Sequence, residues 1–137
     1  MATLIIASIS DRAGKTAIAA ALAVRMGTDE SPIAVGRATS GDASGDGERD
    51  SGVFASLLPG NPSVSGSVDS IASTISSAAG GAKITIVEGS SDTQSNLQLA
   101  NATDGLVLLV ARYGEGLTAV AKEYGSRLAG VIVNGLP

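Results

Sequence analysis

The apolar positions of this chain form short aliphatic runs separated by helical patterns, and the alternation predicts how it folds. "TLIIAS" (Thr3 to Ser8) is the β-branched, aliphatic kind of run that a parallel strand buried on both faces requires. After Gly14, "KTAIAAALAVRMG" is built from good helix formers. Ile18, Ala21, Leu22 and Arg25 fall at helical spacing, and Gly27 marks a stop. "SPIAVGR" (Ser31 to Arg37) predicts a second strand, and the Gly-, Ser- and Asp-rich "ATSGDASGDGERDSG" after it predicts a loop. "VFASLL" predicts a helical turn that "PGNP" breaks, and Val68, Ile71, Ala72 and Ile75 outline an amphipathic helix ended by Gly80 and Gly81. "AKITIVEG" (Ala82 to Gly89) predicts a strand with a carboxylate at its C-terminal end. "TQSNLQLANAT" follows as a short helix with Leu97 and Ala100 on one side. "DGLVLLVARY" (Asp104 to Tyr113) is the most apolar strand. "EGLTAVAKEYGSRL" carries a helical stripe of Leu117, Val120, Ala121, Tyr124 and Leu128, and "AGVIVNGLP" supplies a last strand. Strands alternating with helices predict a mostly parallel five-stranded sheet with right-handed crossovers and helices on both faces.

At 137 residues the chain fits a single domain. Its net charge is -4 and its basic residues are scattered singly, with no Lys/Arg stripe of the kind that neutralises a phosphate backbone, so nucleic-acid binding is not expected. The sequence contains neither cysteine nor histidine, which removes disulfides, thiolate metal sites and the commonest general base. Any chemistry rests on Lys, Ser/Thr, Asp/Glu and a hard cation held by oxygen. The first apolar run is short, lacks a basic leader and flows into "GKT", so it reads as a strand rather than a signal peptide. No apolar stretch approaches the roughly 20 residues needed to span a bilayer, and the expectation is a cytoplasmic protein without membrane attachment.

In a parallel α/β sheet, ligands sit outside the C-terminal ends of the strands. Four features fall there. "SISDRAGKT" (Ser8 to Thr16) ends like a phosphate-binding loop, although Ile9 stands where the standard motif has its first glycine. Along Asp11, Arg12, Ala13, Gly14, Lys15, Thr16 and Ala17, backbone N–H groups at a helix start are suited to phosphate oxygens. Lys15 is suited to β/γ charge, and the Thr16 hydroxyl to Mg²⁺. Glu88 can hold Mg²⁺ directly or through water, or be a solvated strand-end residue. Arg37 and Asp50 bracket a loop, as phosphate and metal contacts or as solvating charge. Asn134 offers a donor and an acceptor suited to a purine edge, and before Gly135 it equally suits a turn. Arg112 and Tyr113 read as structural or phosphate-adjacent.

With these residues placed, the chain resembles the P-loop NTPase family of dethiobiotin synthetase and cobyrinic acid a,c-diamide synthase, in particular the dethiobiotin-synthetase-like domain at the N-terminus of some phosphate acetyltransferases. The likeness covers nearly the whole chain. "LIIASISDRAGKTAIAAALA", "ITIVEG", "DGLVLLVARYG" and "AKEYGSRLAGVIVNGLP" follow the family's order. The resemblance implies ATP and Mg²⁺ as cofactors, with Lys15 and Thr16 on phosphate and metal, Glu88 a metal-associated acid and Asn134 on adenine. More loosely, it aligns Arg37 and Ser40 with substrate-side residues and Asp50 with a metal-binding Asp. Two departures bear on activity: Ser10 stands where dethiobiotin synthetases have an acid, and "SSDTQ" where they have a Gly-rich turn. The chain also stops where relatives continue, which implies a trimmed domain, attachment to a further domain, or a homodimer that completes the sheet edge.

The expected function is therefore an ATP-binding, Mg²⁺-dependent domain with ATPase or ATP-dependent carboxylate ligase activity on a small-molecule substrate. In a ligase, Lys15, Mg²⁺ and Arg37 would stabilise the transferred phosphoryl group. The alternatives are a nucleotide-sensing regulatory module without turnover, or a structural domain that keeps only the fold.

Overall fold

The computed structural model describes residues 2–10, 14–26, 33–38, 63–66 and 84–135. Six strands, β1 (Ala2–Ser8), β2 (Ile33–Ala38), β3 (Ser63–Gly66), β4 (Ile84–Glu88), β5 (Leu106–Arg112) and β6 (Leu128–Asn134), form one sheet in the order β3-β2-β4-β1-β5-β6. Every pairing is parallel. Among the described residues three helices accompany them: α1 (Lys15–Met26), α2 (Thr93–Thr103) and α3 (Leu117–Tyr124). Among the described residues the sheet thus has six strands where the apolar pattern predicts five. The additional strand is "SVSG", which has too little apolar alternation to be read from sequence and owes its extended form to pairing along β2.

The direction of each crossover decides which face a helix covers. From β1 the chain moves across β4 to β2, whereas from β4 it moves the other way, across β1 to β5, and on to β6. With right-handed crossovers, opposite directions place α1 on one face and α2 and α3 on the other. The packing agrees: Ala19, Ala20 and Ala23 of α1 meet Ile6, Ile86 and Val110 on one side of the sheet. Leu99 and Ala100 of α2 and Tyr124 of α3 meet Ile5, Ala7, Val87, Val107 and Leu109 on the other. Strand residues alternate between the two layers as the pleat requires, and fully burying each aliphatic side chain stabilises the fold by about 1.5–3 kcal/mol.

Two helical readings change in detail. The predicted stripe on α1 includes Ala21 and Arg25, yet both are exposed, and the contact runs through Ala19, Ala20 and Ala23 with Ile18 and Leu22 at its rim. Alanines at the centre let the helix axis approach the sheet closely, and the larger side chains fill the flanks. The predicted final helix extends to Leu128, but α3 ends at Gly125, whose φ of 55° lies in the left-handed region, and a 3-10 turn over Gly125–Arg127 follows. Leu128 pairs with Val107 as the first residue of β6. Among the described residues no helix is long and apolar enough to cross a membrane. The predicted helix through Val68 and Ile75 lies outside the described residues.

Candidate functional site at the C-terminal end of the sheet

The β1 and β4 ends are where the chain's path divides, because the connection after β1 leaves towards β2 and the one after β4 leaves towards β5. In open parallel sheets this switch point opens a crevice beyond the strand ends. Glu88 is the last residue of β4, and Ile6 of β1 and Arg37 of β2 are its partners in register. β1 continues past that row to Ser8, and its chain returns as α1 at Lys15.

The turn into α1 rests on Gly14. Its φ of 93° is closed to other residues without strain, and its carbonyl accepts the first helical hydrogen bond, from Ile18 N at 3.1 Å. Lys15, Thr16 and Ala17 therefore form the first turn, whose N–H groups find no acceptor inside the helix. Lys15 is only 8% exposed. Its Nζ donates to the Ser8 Oγ at 2.8 Å, which folds the ammonium back over the end of β1. Glu88, 3% exposed, ends the adjacent strand. A buried lysine and a buried glutamate are unusual for their residue types, and here both lie at the neighbouring ends of β1 and β4. Among the described residues every buried side-chain nitrogen or oxygen has a partner.

Asn134 reaches the same place from β6. Its Nδ2 lies so close to Gly14 that a Cβ there would sit 2.6 Å from it, while its Oδ1 accepts from Gly135 N at 2.9 Å. Asn134 thus makes the turn contact that its position before Gly135 suggests and also flanks the Gly14-Lys15 turn.

Two further anchors brace the loop after β1. On the β5 side, the Glu115 Oε1 accepts from the Ser10 Oγ at 3.1 Å and from Arg112 N at 2.7 Å. On the β4 side, Ser8 N donates to the Ser90 carbonyl at 3.3 Å, and Gly89 N donates to the Ile6 carbonyl at 2.8 Å. Ser90 is in turn gripped by the fully buried Asn96 of α2. Its backbone N–H donates to Asn96 Oδ1 at 3.0 Å, and its carbonyl accepts from Asn96 Nδ2 at 2.9 Å. The same Nδ2 donates to the Tyr124 hydroxyl at 2.9 Å. Gly89 has no side chain to give because Asn96 Oδ1 occupies the space a Cβ would need. Burial pushes the Tyr124 hydroxyl above its ordinary value, partly offset by its hydrogen bonds with Asn96 and Thr93.

Of the residues singled out by sequence, Gly14, Lys15, Glu88 and Asn134 are thus brought to one end of the sheet. Ala17 is in the first turn of α1 with its methyl exposed, and Thr16 and Arg37 are placed by their backbones in α1 and at the end of β2. Asp11, Arg12, Ala13, Ser40 and Asp50 lie outside the described residues. Glu115, Asn96 and the hydroxyl of Tyr124 join the site, and no sequence motif marks these three as site residues. Asn96 had a signal: it falls one turn before Leu99 and Ala100 on the inward stripe of α2, where a polar residue must find buried partners. Glu115, between two glycines, carried no pattern of its own.

No protein-family model matches the chain, and no curated protein matches it in sequence.

Proposed function

We propose that this chain is an ATP-binding, Mg²⁺-dependent domain of the P-loop type, similar to the dethiobiotin synthetase group. The observation that carries the reading is Lys15. Its ammonium is buried at the first turn of a helix, directly after a glycine with positive φ and at the point where the chain's path divides between β1 and β4. A helix start combined with a fixed lysine suits the β- and γ-phosphates of a nucleoside triphosphate. Glu88 at the end of β4 is suited to the divalent cation, directly or through water, with the Thr16 hydroxyl and Asp50 as further oxygen donors. The bound Mg²⁺ would neutralise charge on the phosphate oxygens, and Arg37, beside Glu88 in register, is assigned to the transferred group. Asn134, against Gly14, is assigned to the adenine edge.

One observation favours binding without turnover over ligase chemistry. The Ser8 hydroxyl is committed to Lys15 and the Ser10 hydroxyl to Glu115, so both serines of the loop serve its shape. In this second reading the domain senses nucleotide for a partner or an attached domain.

Titration calorimetry with ATP and with GTP, each with and without Mg²⁺, tests the first claim. Mg²⁺-dependent ATP binding that is weakened but still measurable in Lys15→Ala is the expected result, and a protein with no nucleotide affinity overturns both readings. Phosphate release stimulated by a carboxylate substrate would select the ligase, and binding with no turnover the sensor.

A further inference from the structure

The hydrogen bonds that hold Lys15 extend well beyond the end of β1. Lys15 Nζ donates to the Ser8 Oγ at 2.8 Å, and Ser8 N donates to the Ser90 carbonyl at 3.3 Å. That carbonyl also accepts from Asn96 Nδ2 at 2.9 Å, and Asn96 Nδ2 donates to the Tyr124 hydroxyl at 2.9 Å. Ser8, Lys15, Asn96 and Tyr124 are all buried. We propose that Asn96 is a positioning residue for Lys15, acting through Ser90 and Ser8 to fix the lysine for a triphosphate. The proposal rests on the reading of Lys15 as a phosphate ligand.

Four physical points support it. Asn96 uses both ends of its carboxamide on one residue, taking the Ser90 N–H and giving to the Ser90 carbonyl, so the segment after β4 is held in one orientation as an added strand would hold it. The Ser90 carbonyl is shared between Asn96 and Ser8, so a shift of Ser90 moves the backbone of the residue that receives Lys15. The side chains of Ser8, Lys15, Asn96 and Tyr124 are buried, Ser90 between them is half-buried, and every buried side-chain polar atom among the described residues is paired, the condition under which a polar network rigidifies its surroundings. Tyr124 fixes the remaining freedom of the Asn96 amide from α3, so both helices on that face contribute to the lysine's position.

The test compares ATP with AMP, which lacks the phosphates that Lys15 would contact. Binding of each is measured by calorimetry in the wild type, Asn96→Ala, Tyr124→Phe, Ser8→Ala, Lys15→Ala and the Asn96→Ala/Lys15→Ala double variant, after circular dichroism shows each to be folded. The expected result is a roughly tenfold loss of ATP affinity in Asn96→Ala, a smaller loss in Tyr124→Phe and unchanged AMP affinity. Asn96→Ala should then cost nothing further once Lys15 is gone. A structural role alone would lower the melting temperature without this selectivity or non-additivity. Should Asn96→Ala fail to fold, Tyr124→Phe and Ser8→Ala carry the same comparison. Wild-type ATP affinity in the folded variants, or equal loss of ATP and AMP, overturns the proposal. Failure of the underlying reading looks different, because Lys15→Ala would then keep wild-type ATP affinity.

Discussion

The carboxamide of Asn134 lies directly over Gly14, crossing the end of β5 to reach a turn that belongs to β1. The Asn134 carbonyl accepts from Tyr113 N at 2.9 Å, so the loop after β5 is tied to the end of β6, and the Asn134 side chain carries that tie on to the start of α1. Gly14 is therefore constrained twice, by its φ of 93° and by the amide above it. Gly114 has nearly the same φ, 90°, but no described residue lies near enough to touch a Cβ. Gly114→Ala should cost about 1–2 kcal/mol of backbone strain, and Gly14→Ala should cost about 1 kcal/mol more through the clash. Adding Asn134→Ala to Gly14→Ala should recover the difference and leave the strain. Urea unfolding of the four proteins measures each value, and equal costs at the two glycines would contradict the close approach.

Glu115 joins the loops after β1 and β5 through one carboxylate oxygen. Glu115→Ala removes the acceptor of both the Ser10 hydroxyl and Arg112 N and should cost about 1–2 kcal/mol. Glu115→Gln keeps an oxygen in place and should lose less than half of that. Ser10→Ala combined with Glu115→Ala should be less than additive, since both delete the same bond. Full additivity in denaturant melts would show that the Ser10 contact contributes nothing.

The buried hydroxyl of Tyr124 makes stability depend on alkaline pH. Its folded-state value is raised above the ordinary value near 10, chiefly by burial. The unfolded chain therefore loses this proton first, and the stability from keeping it is fully present below pH about 10 and lost as pH rises through the folded value. Tyr124→Phe lacks this term. The stability difference between wild type and Tyr124→Phe should be flat from neutral pH to about pH 9 and shift in favour of Phe above about pH 10. A difference that stays flat across that range would contradict a buried, neutral tyrosine.

Packing on the two faces differs, and substitutions should report it. Leu99 is fully buried under α2, and Leu99→Ala should cost about 2–5 kcal/mol. Ala23 is fully buried where α1 approaches the sheet, so Ala23→Leu should cost about 1–3 kcal/mol by overpacking. Val24, one residue on and largely exposed, provides the control, and Val24→Ala should stay within about 0.5 kcal/mol of wild type. Thermal unfolding of the three variants gives the order. A tolerant Ala23 would mean that α1 does not lie as close to the sheet as its alanines imply.

The sequence by itself determined the layered α/β plan, because a strand buried on both faces leaves a short continuous apolar run and a helix buried on one face leaves a period of about 3.6 residues, and "TLIIAS", "ITIV" and "LVLLVA" are runs of strand length rich in β-branched residues. It also determined where Gly14, Lys15, Glu88 and Asn134 fall relative to strand ends and helix starts, which is a matter of local order along the chain. It carried no sign of β3, whose four residues are extended only because β2 offers them partners. Nor did it carry the inward face of α1, where spacing alone could not choose between Ala21 and Ala20. The network from Tyr124 through Asn96 and Ser90 to Ser8 and Lys15 was out of its reach for the same reason. Hydrogen bonds between residues far apart in the chain exist only once crossover direction and strand order have set α2 and α3 beside the ends of β1 and β4, and those long-range relations leave no period in the sequence.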